Sequence, residues 1–459
     1  MDLRLFMAII IGKIISFFIK FIGGGATAAP GLAALKIDPN LVKKLSQKIK
    51  YGSIIVSGTN GKTTTARLIS DILSNRFHLI HNRAGSNLLR GIASTMIGES
   101  SPFGKLDFNL AIWEVDEATL DAAIENTKPK IIVLLNLFRD QLDRYGEVDT
   151  IRIKWQKILS KLPKDMTVVL NSDDPLVSIL AKSFKGKVVF FGVNDQYISL
   201  PEVSHVADIK HCLICDSPLN YQALLSAHLG HYKCSNCGFK RPNPQIFAQD
   251  LRFKPNFSTK LSLTINNQLL TINYNLPGLY NVYNILAAAS VASELGIPTS
   301  QIKEAIEKFS AAFGRFQQIE LNNKKVVIFL IKNPTGANEV LRTLATKQNL
   351  NILAILNDRI ADGRDVSWIW DTNWEILATK TSQIFVSGTR AWDLATRLKY
   401  AGLKLSKNNT YKEVYYSIKQ ALTQLNNNDT LLILPTYTAL LNVQKSLDKL
   451  GTKTKWHIQ

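Results

Sequence analysis

Ser57-Gly58-Thr59-Asn60-Gly61-Lys62-Thr63-Thr64-Thr65 lies between an apolar β-branched run, Ile54-Ile55-Val56, and a helix-like pattern, Ala66-Arg67-Leu68-Ile69-Ser70-Asp71-Ile72-Leu73. A strand, a tight glycine turn, then a lysine and hydroxyls at a helix start form a phosphate-binding loop. The glycines let backbone N–H groups approach the phosphates, and the helix N-terminus adds partial positive charge. In this reading Lys62 reaches the β- and γ-phosphates of ATP and Thr63 Oγ ligates Mg²⁺, with Gly58, Thr59, Asn60, Gly61 and Thr64 completing the loop. The match to G-x-x-x-x-G-K-[ST] is incomplete, because Val56 occupies the first glycine position. The alternative is a plain strand–helix turn. Gly-Lys-Thr is common in random loops, but not framed by strand and helix.

Outward from this loop, apolar β-branched runs alternate with helical patterns as far as about Leu200. Leu110–Val115, Ile131–Asn136 and Thr167–Asn171 are the clearest strands. Strands alternating with helices predict an α/β fold with a mostly parallel, doubly wound sheet. A polar insert spans about residues 205–245. Strand-like runs resume at Leu261–Ile265 and Leu270–Tyr274, and an alanine-rich helix runs from Tyr283 to Leu295. A second alternating region begins near Lys324 and reads as a separate C-terminal α/β domain. The division expected is 1–48 (N-terminal helix and linker), 49–312 (ATP-binding domain) and 313–459 (C-terminal domain). The 459 residues are enough for two or three domains.

Lys plus Arg number 55 against 36 Asp plus Glu, a formal charge of +19. That balance points to an anionic partner, such as a nucleotide, a nucleic acid or an anionic membrane face, or to solubility alone. The 4 cysteines form two pairs, Cys212-x-x-Cys215 and Cys234-x-x-Cys237, with 18 residues between them. This spacing suits a Cys₄ zinc ribbon, a structural site because four thiolates leave no open position. Two disulfides are the alternative, although nothing else argues for an oxidising compartment. His211 and His231 flank the pairs and read as bystanders.

The N-terminus, Leu3 to Ile22, is strongly apolar but interrupted by Lys13 and Lys20, seven residues apart and so on one helical face. A charge near the middle of a membrane span is costly. The small residues Ala26-Thr27-Ala28-Ala29 resemble a signal-cleavage site, but secretion would carry a nucleotide-dependent protein away from ATP. The reading taken is an amphipathic helix that packs on the protein or rests on a membrane surface. The chain is accordingly expected in the cytoplasm, with contact to the inner membrane face as the second option.

In an open α/β sheet, ligands bind at the carboxyl ends of strands. Glu114, Asp116 and Glu117 end the Trp113 strand, and Glu114 is the candidate second Mg²⁺ ligand. Asn136 and the charged run Asp140–Glu147 follow the next strand. Gly314-Arg315 lies between the two α/β regions, where an arginine can clamp a γ-phosphate.

Together these residues resemble the Mur ligase superfamily. Gly58–Thr64 resembles its ATP loop. Asn136…Asp140-Gln141-Leu142-Asp143…Gly146 is similar to N-x-x-x-D-H-L-D-x-x-G, with Gln141 for His, and Asn171-Ser172-Asp173-Asp174 to N-x-D-D. Gly278-Leu279-Tyr280-Asn281…Asn284 is similar to G-x-H-N-x-x-N, with Tyr280 for His, and Gly314-Arg315-Phe316 to G-R-[FM]. The usual D-Y-A-H-x-P is replaced by Phe329-Leu330-Ile331-Lys332-Asn333-Pro334. The cysteine insert and Leu356–Asp371 further resemble the MurT-type subunits of lipid II isoglutaminyl synthases.

That resemblance implies a carbon–nitrogen ligase of peptidoglycan synthesis. It would activate the D-glutamate α-carboxylate of lipid II as an acyl phosphate and amidate it with ammonia. The ammonia would come from a GatD-type glutamine amidotransferase partner. By motif position, Lys62 and Glu114 are catalytic, Asn281 contacts the nucleoside and Arg315 the γ-phosphate. Asp365, within Gly363-Arg364-Asp365-Val366-Ser367-Trp368, would complete the partner's triad. Asp358 and Asp362 are its rivals, and turn capping is the alternative for all three. A stand-alone Mur or folylpolyglutamate-type amino acid ligase is the competing enzyme reading. A nucleic-acid-binding module is weakly supported, because the ribbon interleaves few aromatics, and no nucleic-acid partner is expected. Intact Lys62, Thr63, Glu114 and Arg315 argue against a non-catalytic scaffold.

Overall fold

The computed structural model describes residues 2–22, 27–83, 86–139, 148–201, 208–310 and 316–452. The chain starts with three helices, α1 (Leu3–Phe21), α2 (Ala29–Ile37) and α3 (Leu41–Ser46). An alternating stretch follows: β1 (Ser53–Ser57), α4 (Lys62–Leu73), β2 (Leu79–His81), α5 (Leu89–Glu99), β3 (Leu110–Glu114), α6 (Leu120–Thr127) and β4 (Pro129–Leu134). It continues with α7 (Val148–Leu159), β5 (Thr167–Asn171), the single turn α8 (Pro175–Ser178) and β6 (Lys187–Val193). No helix among the described residues is long and apolar enough to cross a membrane.

Next come the ribbon hairpin β7 (Leu219–Ser226) and β8 (Leu229–Cys234), then β9 (Ile246–Phe253), β10 (Thr259–Ile265) and β11 (Gln268–Tyr274). Helices α9 (Leu279–Glu294) and α10 (Thr299–Lys308) complete this half. The main sheet has nine strands in the order β11-β10-β9-β6-β5-β4-β1-β3-β2. From β2 to β9 every pairing is parallel. The β9–β10 and β10–β11 pairings are antiparallel.

That antiparallel edge has a local cause. Asn266-Asn267 joins β10 to β11 with φ of 50° and 62°, and Ile265 pairs with Gln268 across it. Two left-handed residues in a two-residue loop are what a type I′ hairpin requires, and asparagine tolerates them. Asn322-Asn323, with φ of 51° and 58°, repeats the device between β12 and β13 below.

The parallel strands are buried on both faces, which is why they read as unbroken apolar runs. Ile54, Val56, Ile112, Val133 and Val169 face α4 and α9. Ile55, Trp113, Ile132 and Val168 face the side covered by α1, α3, α5 and α7.

The C-terminal region folds on a second sheet. Its elements are β12 (Phe316–Leu321), β13 (Lys324–Phe329), α11 (Pro334–Ala345), β14 (Leu350–Ile355), β15 (Thr381–Ser387), α12 (Ala391–Tyr400), α13 (Val414–Gln424), β16 (Thr430–Pro435) and α14 (Tyr437–Lys449). The strand order is β12-β13-β16-β14-β15, with only the β12–β13 pair antiparallel.

Candidate nucleotide site and metal centre

The phosphate loop takes the conformation that its glycines predict. Gly58 has φ +141° and Gly61, immediately before α4, has φ +90°. A Cβ on Gly61 would come within 2.1 Å of Asn284 Oδ1, so only glycine fits there. The Asn136 side chain holds the loop from the neighbouring strand end. Asn60 N–H donates to Asn136 Oδ1 at 2.8 Å, and Asn136 Nδ2 donates to Asn60 O at 3.0 Å. Thr59 Oγ1 accepts from Phe138 N–H at 3.0 Å. Thr65 Oγ1 donates to Asn284 Oδ1 at 3.2 Å, tying α4 to α9.

Lys62 is buried and held in place. Its Nζ donates to Gly58 O at 2.5 Å, to Thr59 O at 3.3 Å and to Glu117 Oε2 at 2.8 Å. Burial is the largest influence on its pKa and pulls it down. Glu117, with Glu114 and Asp116 beyond it, outweighs burial and raises the pKa above the ordinary lysine value. Three buried carboxylates around one ammonium leave a local excess of negative charge. A divalent cation beside Thr63 and Glu114 would balance it. Asn82 fixes that strand end by exchanging two hydrogen bonds of 2.9 Å with the Glu114 backbone.

The second sheet's domain closes over the loop. Lys332 Nζ donates to Thr59 O at 3.2 Å and Asn333 Nδ2 to Asn60 Oδ1 at 3.1 Å. Asn333 also caps α11 by accepting from Gly336 N–H at 2.8 Å. A cavity partly open to solvent lies at this junction. Its wall includes Asn60, Gly61, Thr64, Tyr280, Tyr283, Asn284, Lys332 and Glu339. Burial pushes the Glu339 carboxyl above its usual range, against the pull of Arg342. Asn281 sits behind this wall, where Nδ2 donates to Pro277 O at 2.7 Å and Oδ1 accepts from Asn284 at 3.2 Å. A loop of backbone amides at a helix start, opening into this cavity, suits the phosphates of a nucleotide. Arg315 and the Asp140–Glu147 run lie outside the described residues.

The Asn171–Asp174 segment is a structural joint. Asp173 accepts from Tyr283 OH at 2.9 Å and Val193 N–H at 2.8 Å, and it pairs with Arg241. Asp174 caps the α8 turn through Leu176 N–H at 2.8 Å and accepts from Leu137 N–H at 2.9 Å. The fully buried His228 lies 3.4 Å from Asp174 and 3.9 Å from Asp208. These contacts seat the cysteine insert against the nucleotide domain.

In that insert the four cysteine sulfurs lie within 4.8 Å of one another. Cys212 and Cys237 are 3.4 Å apart, and Cys215 and Cys234 are 3.5 Å apart. A disulfide needs about 2.05 Å, and all four thiols are free. A tetrahedral cage with Zn–S of about 2.3 Å sets the sulfurs about 3.8 Å apart, close to what is seen. The Ser217 amide draws the Cys215 thiol down to about 6, while, against the pull of the Phe239 amide, burial and the neighbouring sulfurs push the Cys237 thiol up to about 12, as expected of thiols that share one crowded site. His231 is engaged with the Val193 carbonyl at 2.7 Å.

The three aspartates of the C-terminal domain separate clearly. Asp362 is buried and caps α14, accepting from Thr438 N–H at 2.7 Å and Thr438 Oγ1 at 2.5 Å. Asp358 pairs with Arg390 at 3.4 Å and accepts from Thr389 Oγ1 at 2.8 Å. Asp365 is exposed, and its carboxylate accepts from Ser367 N–H at 2.8 Å. That amide holds its pKa below the usual carboxylate value.

Several participants carry little local signal in the sequence. Glu117 reads as one of three acidic residues ending the Trp113 strand, with nothing nearby to pair it with Lys62. Asn82 carries no signal. Lys332 and Asn333 stand out only as a departure from a family pattern. The Asn333-Pro334 start of α11 was the available cue, since asparagine before proline is a strong helix opening.

Comparison with known proteins agrees with this arrangement. A family model described as the Mur ligase middle domain matches residues 56–238, and one described as MurT ligase C-terminal matches residues 330–440. Among solved structures, a pseudomurein peptide ligase type C from Methanothermus fervidus superposes with a TM-score of 0.69 at 23% identity, covering 89% of this chain and 80% of that one. MurF ligase from Thermotoga maritima in complex with ADP superposes with a TM-score of 0.65 at 14% identity, covering 91% and 84%. At those identities the likeness shows the fold. The lipid II isoglutaminyl synthase (glutamine-hydrolyzing) subunit MurT of Staphylococcus aureus strain COL is 32% identical over 97% of this chain and 98% of its own length. The subunit of the same description from Streptococcus pneumoniae strain R6 is also 32% identical, over the same shares. With the nucleotide loop, the cysteine insert and the second α/β domain all inside that full-length match, the chain belongs to the MurT family of the Mur ligase superfamily.

Proposed function

We propose that this chain is the ligase subunit of a lipid II isoglutaminyl synthase. One observation carries the reading: the likeness to MurT subunits runs end to end, through both sheets and the cysteine insert. Bound MgATP would supply the phosphoryl group that turns the D-glutamate α-carboxylate into an acyl phosphate, which ammonia then converts to the D-isoglutamine amide.

The chain's own residues would prepare this chemistry. Lys62, and Arg315 by its motif position, would neutralise charge on the phosphates. Thr63 and Glu114 would hold Mg²⁺. Asn60, Gly61 and Thr64 would cradle the phosphates, with Asn281 bracing the nucleoside wall. Lys332 and Asn333 would register the closing domain on the loop. The ammonia would come from a GatD-type glutaminase, and Asp365 would orient that partner's histidine. Ile360 and Trp370, five residues to either side of Asp365 along the chain, are both exposed. The work would take place in the cytoplasm, at the membrane face that carries lipid II.

Mixing the chain with a GatD-type subunit, lipid II, MgATP and glutamine should lower the lipid mass by about one unit, as –OH becomes –NH₂. ATP hydrolysis without a mass change from glutamine or ammonium would overturn the reading and turn the search to amino acid nucleophiles.

Cys212, Cys215, Cys234 and Cys237 would hold one structural Zn²⁺. The core beneath them is small, with Leu219, Tyr232 and Phe239 its main apolar members. A domain piece of that size depends on its metal. Elemental analysis should find one zinc per chain. Cys234→Ser should release it and expose the insert to protease, while the main sheet keeps its own melting transition. Full metal loss without local unfolding would rule out a structural role.

A further inference from the structure

The first half of α1 is an ordinary packed helix. Leu5, Ala8, Ile9 and Gly12 are buried at helical spacing. A Cβ on Gly12 would come within 2.9 Å of Ile97 Cδ1, so the helix lies close against α5. Past Gly12 the burial thins, and Ile15, Ser16 and Ile19 are only half-buried along the same face. Residues 14–22, Ile-Ile-Ser-Phe-Phe-Ile-Lys-Phe-Ile, contain no buried side chain. Phe17 is 66% exposed, Phe18 58%, and Phe21 and Ile22 82% each. The Phe17 and Phe21 rings stack at 6.5 Å, so the aromatic ridge is continuous. On the neighbouring α2, Leu32 and Lys36 extend the exposed surface.

The charges on the helix itself are all of one sign, although Glu99 of α5 faces Lys13. Helix α1 carries Arg4, Lys13 and Lys20 and no acidic residue. Three cations and a packed first half prevent it from spanning a bilayer, whereas phenylalanines flanked by lysines suit the plane of a bilayer interface. A second copy of the chain would bring lysines against lysines. An anionic lipid surface answers both the apolar ridge and the positive rim.

We propose that the second half of α1 is a membrane-docking element, whose Phe17, Phe18 and Phe21 enter the interface of an anionic bilayer while Lys20 meets its headgroups. Its purpose rests on the proposed function, in which the acceptor is lipid-borne, but the docking itself does not. The full chain is floated with vesicles of phosphatidylcholine plus phosphatidylglycerol, and with phosphatidylcholine alone. The wild type should float with the anionic vesicles and be released by salt. Phe17→Ser/Phe18→Ser/Phe21→Ser should lower the bound fraction on the order of tenfold. Lys20→Glu should lower it less and flatten the salt dependence. Binding of a fluorescent ATP analogue checks that each variant is folded. Equal flotation of wild type and triple variant overturns the proposal. So does a wild type that stays unbound but dimerises through the ridge. The vesicles hold no lipid II, so failure here leaves the ligase reading standing, and failure of amidation leaves docking standing.

Discussion

Lys62→Ala should lower lipid amidation and its coupled ATP turnover by about 10² to 10³-fold, the usual cost of removing one preorganised charge from a reacting centre. The side chain is already buried at the loop, gripped by Gly58 O and Glu117 Oε2. All three ammonium donors are engaged by Gly58 O, Thr59 O and Glu117, so a phosphate takes the place of at least one of these partners. The same substitution should also destabilise the fold. It leaves Glu114, Asp116 and Glu117 buried without their ammonium, and breaking a buried pair costs about 3–5 kcal/mol. A second change separates the two effects. Lys62→Ala/Glu117→Gln should recover part of the melting temperature but none of the turnover. Recovery of turnover in the double variant would show that Lys62 serves structure alone.

Asp365→Asn should divide the two nitrogen sources. Glutamine-driven amidation with the partner subunit should fall by about 10⁴-fold, the scale seen when a triad loses the carboxylate that orients its histidine. Amidation with ammonium should stay within about twofold, because the nucleotide site is untouched. The expectation rests on surroundings rather than on spacing. Asp362 is sealed under Thr438. Asp358 is engaged by Arg390 and Thr389. Asp365 is exposed, and the Ser367 amide keeps it ionised. If Asp358→Asn produced the split and Asp365→Asn did not, the role would pass to Asp358. Equal loss with both nitrogen sources would mean that Asp365 supports the ligase fold instead.

What the sequence determined by itself was whatever depends on neighbours along the chain. The phosphate loop was legible because glycine conformation, the helix start and the lysine all lie within nine residues. The cysteine cluster was legible because each knuckle is a four-residue turn. The α/β class followed from apolar runs buried on two faces. The Asn-Asn hairpins were equally local, yet they turn the far edge of the sheet antiparallel, beyond the mostly parallel expectation.

Tertiary structure alone decided which distant groups meet. Glu117 reaches Lys62 because β3 lies beside β1 in the sheet, an adjacency set by crossover connections. Asn136 grips the loop because β4 flanks β1 on its other side. Lys332 and Asn333 arrive from the second domain. The second half of α1 stays more open because its neighbours leave even its inner face, Ile15, Ser16 and Ile19, only half-buried. Apolar composition records the tendency to be buried, but only the surrounding elements settle whether anything is there to do the burying.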